Sequence, residues 1–319
     1  MCKKEIRNHM VAKFTELFTE EIVSFPLDLE HLILPSISPT DNTILCRIPT
    51  PQEIKATIFE MNSHKAPGPD GLPALFHKRY WNIVGSTVIA AVQNFFHSGK
   101  LLPELNNTLL VLIPKNNNPS SVNHYRPIGL CNVVYKTISK LLVSKIRPIL
   151  DKLISPCQSA FTPGRWIAEN QLIVHELLHS FKKRKVKGGF IAIKVDLQKA
   201  YDRVNWDFLK TVLTNFGFPN IFINWVMECV TTTSLSVLVN GGKSNFFHPS
   251  RGLRQGDPLF PYLFILCQEI FSRLIDREQA ASTVSGVKMN RGGPDFTNIM
   301  FVDDIMLFSK TSNRCVCFE

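Results

Sequence analysis

The 319-residue chain is 45% apolar and 19% charged, with 23 phenylalanines, which suits one large folded domain or two ordinary ones and excludes a disordered tail. Its 36 Lys and Arg against 26 Asp and Glu leave a formal charge of +10, suited to a polyanionic partner without identifying one. No stretch of ~18 apolar residues suggests a membrane span, no apolar run near Met1 suggests a secretion signal, and the eight scattered cysteines suggest neither a disulfide framework nor paired zinc ligands.

Residues 5–22 are predicted to form an amphipathic helix, with Phe14, Leu17 and Phe18 on one side. Four prolines between residues 24 and 50 read as a loosely structured connection. Thr50-Pro51-Gln52-Glu53 has the form of a cap and first turn, opening a short helix through about residue 62. HKAPGPDG, residues 64–71, then interrupts as either an ordered turn or a mobile loop, and a further helical segment follows. LLVLIPK, residues 109–115, has the apolar density of a buried strand. A polar loop and YRPIGL lead into a long helix over residues 133–150, and another helix is expected over residues 169–181. The positive charge is concentrated in this middle stretch, where residues 61–190 hold 17 basic and 5 acidic side chains. The KKRKVKGG run near its end reads as a solvated helix terminus, with a nucleic-acid contact as the other reading.

FIAIKVDL, residues 190–197, is the clearest central strand. Asn205 caps a helix carrying Trp206, Leu209, Val212, Leu213 and Phe216, closed at Gly217. SLSVLVNGGKSNFF reads as a hairpin turning at Asn240-Gly241, and Pro261 introduces a helix through about residue 276. TNIMF and IMLFS flank Val302-Asp303-Asp304, the pattern of a two-stranded hairpin with acidic residues at its tip.

Asp196 ends one apolar strand and Asp303-Asp304 interrupts another apolar pair. Taken singly, a carboxylate at a strand end or an Asp-Asp turn is ordinary solvated structure. Brought together, the three would repel unless a divalent ion offset their charge, and hard oxygen ligands suit magnesium. A two-ion arrangement would activate a hydroxyl and stabilise a departing oxygen, as nucleotidyl transfer requires.

The ordered series YRPIGL, GRWIAEN, IKVDLQKAYDRVNW, RGLRQGDPLFPYLF and FVDDIMLF resembles the reverse transcriptase of non-long-terminal-repeat (LINE-like) retrotransposons, particularly those of plants. HKAPGPDG resembles the block such proteins carry upstream. The resemblance covers roughly residues 55–312. It implies an α+β right-hand polymerase with fingers and palm, an antiparallel palm sheet flanked by helices, and the thumb and end of the palm missing. The implied division is an N-terminal extension and linker (1–54), an upstream fingers-associated block (55–95) and a reverse transcriptase domain (96–319).

The same resemblance implies that Asp196 and Asp303 hold two Mg2+ ions, with Mn2+ as a substitute, and that Asp304 completes the catalytic trio. Tyr201, five residues after Asp196, would exclude the ribose 2′-hydroxyl, although an aromatic there also suits a core. Arg126 would meet the incoming triphosphate, and Gln255 and Gly256 would flank the nucleotide. Lys136 and Arg165 are candidates for template or phosphate contact, Lys136 equally a surface lysine. Arg251 and Arg254 either join this surface or solvate their turn. Trp206 and Tyr262 read as packing residues.

The implied partners are an RNA template, a DNA primer and dNTPs, with no protein partner indicated and an intracellular, nuclear setting by resemblance. Val302, Phe260, Asn298 and Ala168-Glu169 depart from the family pattern, although no catalytic aspartate is lost. Another palm polymerase, such as an RNA-dependent RNA polymerase or an intron maturase, is the competing enzyme reading, which Tyr201 opposes. An inactive remnant with at most RNA-binding or structural capacity is the reading from outside enzymology.

Overall fold

Local signals set most element boundaries in the computed structural model, which describes residues 3–21, 23, 29–183, 189–290 and 292–311. The elements run α1 (Lys3–Leu17), α2 (Leu29–Leu32), α3 (Pro39–Cys46), α4 (Pro51–Glu60), α5 (Ala74–Arg79), α6 (Trp81–Ser98), β1 (Asn107–Pro114), β2 (Tyr125–Cys131), α7 (Val133–Ile146), α8 (Leu150–Leu153), α9 (Ile167–Lys183) and β3 (Phe190–Asp196). They continue with α10 (Trp206–Asn215), α11 (Asn220–Thr231), β4 (Ser234–Val239), β5 (Gly242–Lys243), α12 (Phe260–Ala280), β6 (Val287–Lys288), β7 (Asp295–Phe296), β8 (Asn298–Phe301) and β9 (Asp304–Lys310). Part of the Lys-Arg run after Lys183 lies outside the described residues, as do Cys315 and Cys317. No helix among the described residues is long and apolar enough to cross a membrane.

The expected capping box at Thr50 forms. Its hydroxyl accepts from the Glu53 amide at 3.2 Å, while the Glu53 carboxylate accepts from the Thr50 amide at 2.8 Å. Arg47, hydrogen-bonded to the same carboxylate, holds Glu53 at about 2, against an ordinary value of 4.5. A carboxyl whose pKa falls on folding contributes stability that is complete above about pH 4.5 and fades as pH drops toward 2. Thr50→Ala is expected to cost about 1 kcal/mol, read by urea denaturation at pH 7. The loose connection expected over residues 24–50 is corrected in its second half, where α3 opens on a second capping box formed by Ser38 and Asp41. Pro39 occupies the first helical position, where a missing amide hydrogen costs nothing, so this proline starts a helix instead of breaking one.

The chain divides into two compact units. The first gathers residues 1–24, 37–146 and 201–260 around a four-stranded sheet ordered β2-β1-β4-β5. β1 pairs antiparallel with β2 and parallel with β4, Thr108 standing opposite both Cys131 and Leu235. Phe14 of helix α1 and Phe18 just beyond its end pack against Leu110, Leu235 and Val237, all buried. The hairpin expected at Asn240-Gly241 turns there, both residues holding positive φ, but only Gly242 and Lys243 form the return strand. Of the two readings of HKAPGPDG, the ordered one holds. Its Asp70 amide donates to the Asn132 side chain at 3.2 Å, and a Cβ on Gly68 would stand 2.4 Å from the Asn132 backbone nitrogen.

The second unit gathers residues 25–36, 147–200 and 261–319. Its sheet is wholly antiparallel and ordered β3-β9-β8, with β6 and β7 forming a small ribbon. Leu177 on α9 packs with Ile299 and Phe308 of the sheet and with Val287. Both units mix helices with antiparallel-rich sheets, an α+β composition.

Candidate active site

In the second unit, β3 delivers Asp196 and the β8–β9 hairpin delivers its acidic turn. Phe301 and Asp304 close the hairpin as register partners, leaving Val302 and Asp303 as the two turn residues. Val302 has φ 55° and Asp303 does not have positive φ, the pattern of a type II′ turn. A β-branched residue is out of place in that left-handed region, at a cost of about 1–3 kcal/mol that surrounding structure must offset. The bulk of Val302, one of the departures from the family pattern, therefore falls where the backbone is least forgiving.

The register sets Asp196 directly opposite Asp304, so these two carboxylates share one face of the sheet. Facing residues of antiparallel strands have Cβ atoms about 4.5–5.5 Å apart, and like charges there repel. Asp303 stands beside them in the turn, so the facing pair is Asp196–Asp304 and not Asp196–Asp303. Lys194, on the same face, places Nζ 3.1 Å from the Asp304 carboxylate and offsets part of the repulsion. With both side chains more than half exposed, that bridge is worth about 0–1 kcal/mol. A groove of about 380 Å³ opens beside Asp304 and Lys194, bounded by Asn170 and His175 of α9 and by Phe301.

Behind the turn lies Gln158, which is 1% exposed. Its side-chain oxygen accepts from the Val302 amide at 3.2 Å and the Ala160 amide at 3.0 Å, and its Nε2 donates to Gln268 at 3.2 Å. Two backbone donors on one oxygen fix which end of the amide faces the turn. Asn170 adds bonds from its Nδ2 to the carbonyls of Cys157 and Met300, at 3.2 and 3.1 Å. Arg165, expected as a candidate phosphate contact, is committed elsewhere. Its guanidinium donates to the carbonyls of Ser155, Gln158 (2.8 Å) and Ile154 (2.9 Å) and pairs with Asp151 at 2.7 Å. It builds the loop that carries Gln158.

Several other expected residues fall in the first unit, where Gln255 and Gly256 meet β2. Tyr201 opens a short 3-10 turn, half-buried, and its carbonyl accepts from the Leu253 amide at 2.8 Å. Gln255 extends Nε2 to within 3.4 Å of Asp202, while its carbonyl accepts from the Gly129 amide at 2.7 Å. Gly256 has φ 102°, and a Cβ there would stand 2.8 Å from the Gly129 carbonyl oxygen. Gly256→Ala is accordingly expected to destabilise the first unit by more than the ~1 kcal/mol typical of a helix glycine, read as a lowered denaturation midpoint. Arg126, three residues before Gly129 on the same strand, is exposed. Lys136 lies half-buried on α7.

Arg251 and Arg254 do not solvate their turn; both are buried. Arg251 pairs with Glu21 at 2.9 Å. Arg254 donates to the Asn106 side chain and the Thr108 hydroxyl, each at 2.7 Å, and pairs with Asp257 at 3.0 Å. Its guanidinium lies 4.4 Å from the Tyr135 ring centre and 5.2 Å from that of Phe260. Phe260, the second departure from the family pattern, is thus a buried ring under a cation. Trp206 and Tyr262 make packing contacts, Trp206 with a bond from Nε1 to the Gly252 carbonyl and Tyr262 against Phe161.

The profile described as reverse transcriptase (RNA-dependent DNA polymerase) matches residues 113–318. The chain belongs to the reverse transcriptase family.

Its similarity to retrotransposon proteins extends well beyond the acidic hairpin. It is 26% identical over 309 residues to the transposon TX1 uncharacterized 149 kDa protein of Xenopus laevis, covering 96% of this chain and 23% of that protein. It is 28% identical over 265 residues to the Pol polyprotein of the type-2 retrotransposable element R2DM of Drosophila melanogaster, covering 82% of this chain and 23% of that one. These relatives agree with the non-long-terminal-repeat class expected from the motifs. A plant relative, the mitochondrial protein AtMg01250 of Arabidopsis thaliana, is 44% identical over 70 residues, 22% of this chain and 57% of its own length. The chain spans about a quarter of the length of the two transposon relatives it matches.

Among the described residues no three His, Cys, Asp or Glu side chains cluster as a ready-made metal cage. Mg2+ does not require one. It keeps several waters and is held by one or two carboxylates together with substrate phosphates, a donor set that Asp196 and the aspartates of the adjoining turn can supply.

Proposed function

We propose that this reverse transcriptase domain extends a primer 3′-hydroxyl with dNTPs on an RNA template. The observation that supports it most is the register that faces Asp196 with Asp304 and sets Asp303 in the adjoining turn. Two Mg2+ ions, held by Asp196 and Asp303 with Asp304 alongside, would supply activation of the attacking hydroxyl and charge stabilisation on the leaving pyrophosphate. The protein's own work is placement: the β8–β9 turn aims the carboxylates, Arg126 meets the triphosphate with a planar fork of donors, and Gln255 and Gly256 shape the nucleotide's surroundings. Lys136 remains a candidate contact for phosphates. In this reading the three-stranded sheet is the palm, the β1–β2 pair belongs to the fingers, and residues 1–54 and 55–95 precede the polymerase proper. Template, primer and a nuclear setting follow from the same assignment.

Tyr201 serves in this reading as the gate against ribose. A ring against the sugar leaves a 2′-hydroxyl neither space nor a hydrogen-bond partner. Tyr201→Ala is expected to raise the ribonucleotide share of incorporation about tenfold or more, scored by alkaline cleavage of the product; unaltered sugar discrimination removes the gate.

The decisive experiment supplies purified protein with an RNA template, annealed DNA primer, Mg2+ and dNTPs, beside an Asp303→Ala control. Aspartate-dependent extension supports the reading. Binding of the primer–template without extension speaks for a remnant that retains only RNA binding.

A further inference from the structure

We propose that Gln158 is a positioning residue for the acidic turn: its buried side-chain oxygen holds the Val302 backbone amide and so keeps Asp303 and Asp304 aimed for a divalent cation. The inference rests on the function proposed above for these aspartates, but its structural core does not.

Val302 sits at φ 55°, where a β-branched residue gains nothing locally, so the conformation needs an outside hold. Segment 157–159 supplies it in two parts. Its backbone pairs with β8, the Met300 amide donating to the Cys157 carbonyl at 2.8 Å and the Ser159 amide to the Met300 carbonyl at 3.3 Å. Those bonds place the segment but stop short of the turn. From this segment it is the Gln158 side chain that reaches Val302, at 3.2 Å. The side chain cannot swing away, because the Ala160 amide and Gln268 occupy its other positions and it is 1% exposed. Gln158 touches no reacting group. It acts through the backbone of the residue preceding Asp303, as outer partners of metal ligands act.

The test uses the full chain with Mn2+ as the probe ion, followed by titration calorimetry, together with hydrogen exchange at the Val302 amide. Gln158→Leu, similar in size but without the acceptor, is expected to speed Val302 exchange and weaken Mn2+ binding about tenfold. Gln158→Glu retains an acceptor oxygen and is expected to keep the amide protected, which also serves should the leucine variant fold poorly. Val302→Gly supplies the discriminating background, since glycine adopts positive φ without strain. There the loss caused by Gln158→Leu should shrink to about twofold. An equal loss in both backgrounds, or unchanged Val302 exchange in Gln158→Leu, overturns the proposal and leaves Gln158 as ordinary packing. Asp196→Asn separates the two readings. If it leaves Mn2+ binding intact, the metal assignment fails, and Gln158 as the holder of the turn then stands or falls on Val302 exchange alone.

Discussion

Replacing Asp196 by asparagine is expected to lower primer extension about a thousandfold or more without lowering the thermal unfolding midpoint. The loss corresponds to roughly 4 kcal/mol of transition-state stabilisation, the scale on which a bound cation offsets developing charge. The stability expectation has the opposite sign because Asp196 faces Asp304 across the strands, where like charges repel by up to about 1 kcal/mol. Lys194 offsets that repulsion only in part, being exposed. Asparagine keeps the size and removes the charge, so the folded state should hold steady or gain slightly. Activity and melting measured on the same preparation give the signature of a residue kept for function at the expense of stability. A midpoint lowered by several degrees would instead make Asp196 a structural carboxylate.

Arg254→Met is expected to destabilise the first unit by about 3–5 kcal/mol, the largest effect on folding anticipated in the chain. Methionine replaces much of the buried stem but leaves Asp257 charged and enclosed, with the Ser139 hydroxyl at 2.6 Å and the Leu259 amide at 2.9 Å as the remaining donors to its side chain among the described residues. The Asn106 side-chain oxygen and the Thr108 hydroxyl lose the Arg254 donor as well. Adding Asp257→Leu removes the stranded charge, and the double variant should recover most of the loss. Urea titrations of the four proteins in the cycle measure the coupling directly. Strict additivity would show that Arg254 contributes by packing on Tyr135 and Phe260 and not through its ion pair.

Much of the candidate site was legible in the sequence because its signals are local. An apolar run ending in Asp196, an Asp-Asp between two apolar strands, and Thr50-x-x-Glu53 each carry their own geometry. What escaped depends on partners far along the chain. Gln158 looks unremarkable in PCQSAF, since its partners Gln268 and Val302 lie 110 and 144 residues away. The facing of Asp196 with Asp304 in place of Asp303 is a matter of register, which a one-residue shift would reverse. YRPIGL did not read as a strand because it contains proline and glycine. As β2 it lies at the edge of its sheet, where Pro127 is tolerated, and Gly129 gives the close approach that the Gln255 carbonyl needs. Proline is ambiguous again at α3, where Pro39 begins a helix, and α11 is hard to separate in the sequence because it follows α10 after only a few residues.

The parallel pairing of β1 with β4 joins Asn107 to Ser234, and the first unit is threaded through three separate stretches of chain. Synthesis at about 5–20 residues per second would hold β1 on the ribosome without its β4 neighbour for roughly 6–25 s. During that interval the LLVLI run has β2 on one side and solvent on the other. The whole second-unit segment of residues 147–200 must emerge before the sheet can close. Slow, non-local closure of this kind favours chaperone engagement during translation and penalises premature termination. Ribosomes stalled before residue 234 should therefore carry chains that aggregate on release, whereas those stalled well past residue 260 should release a first unit able to close.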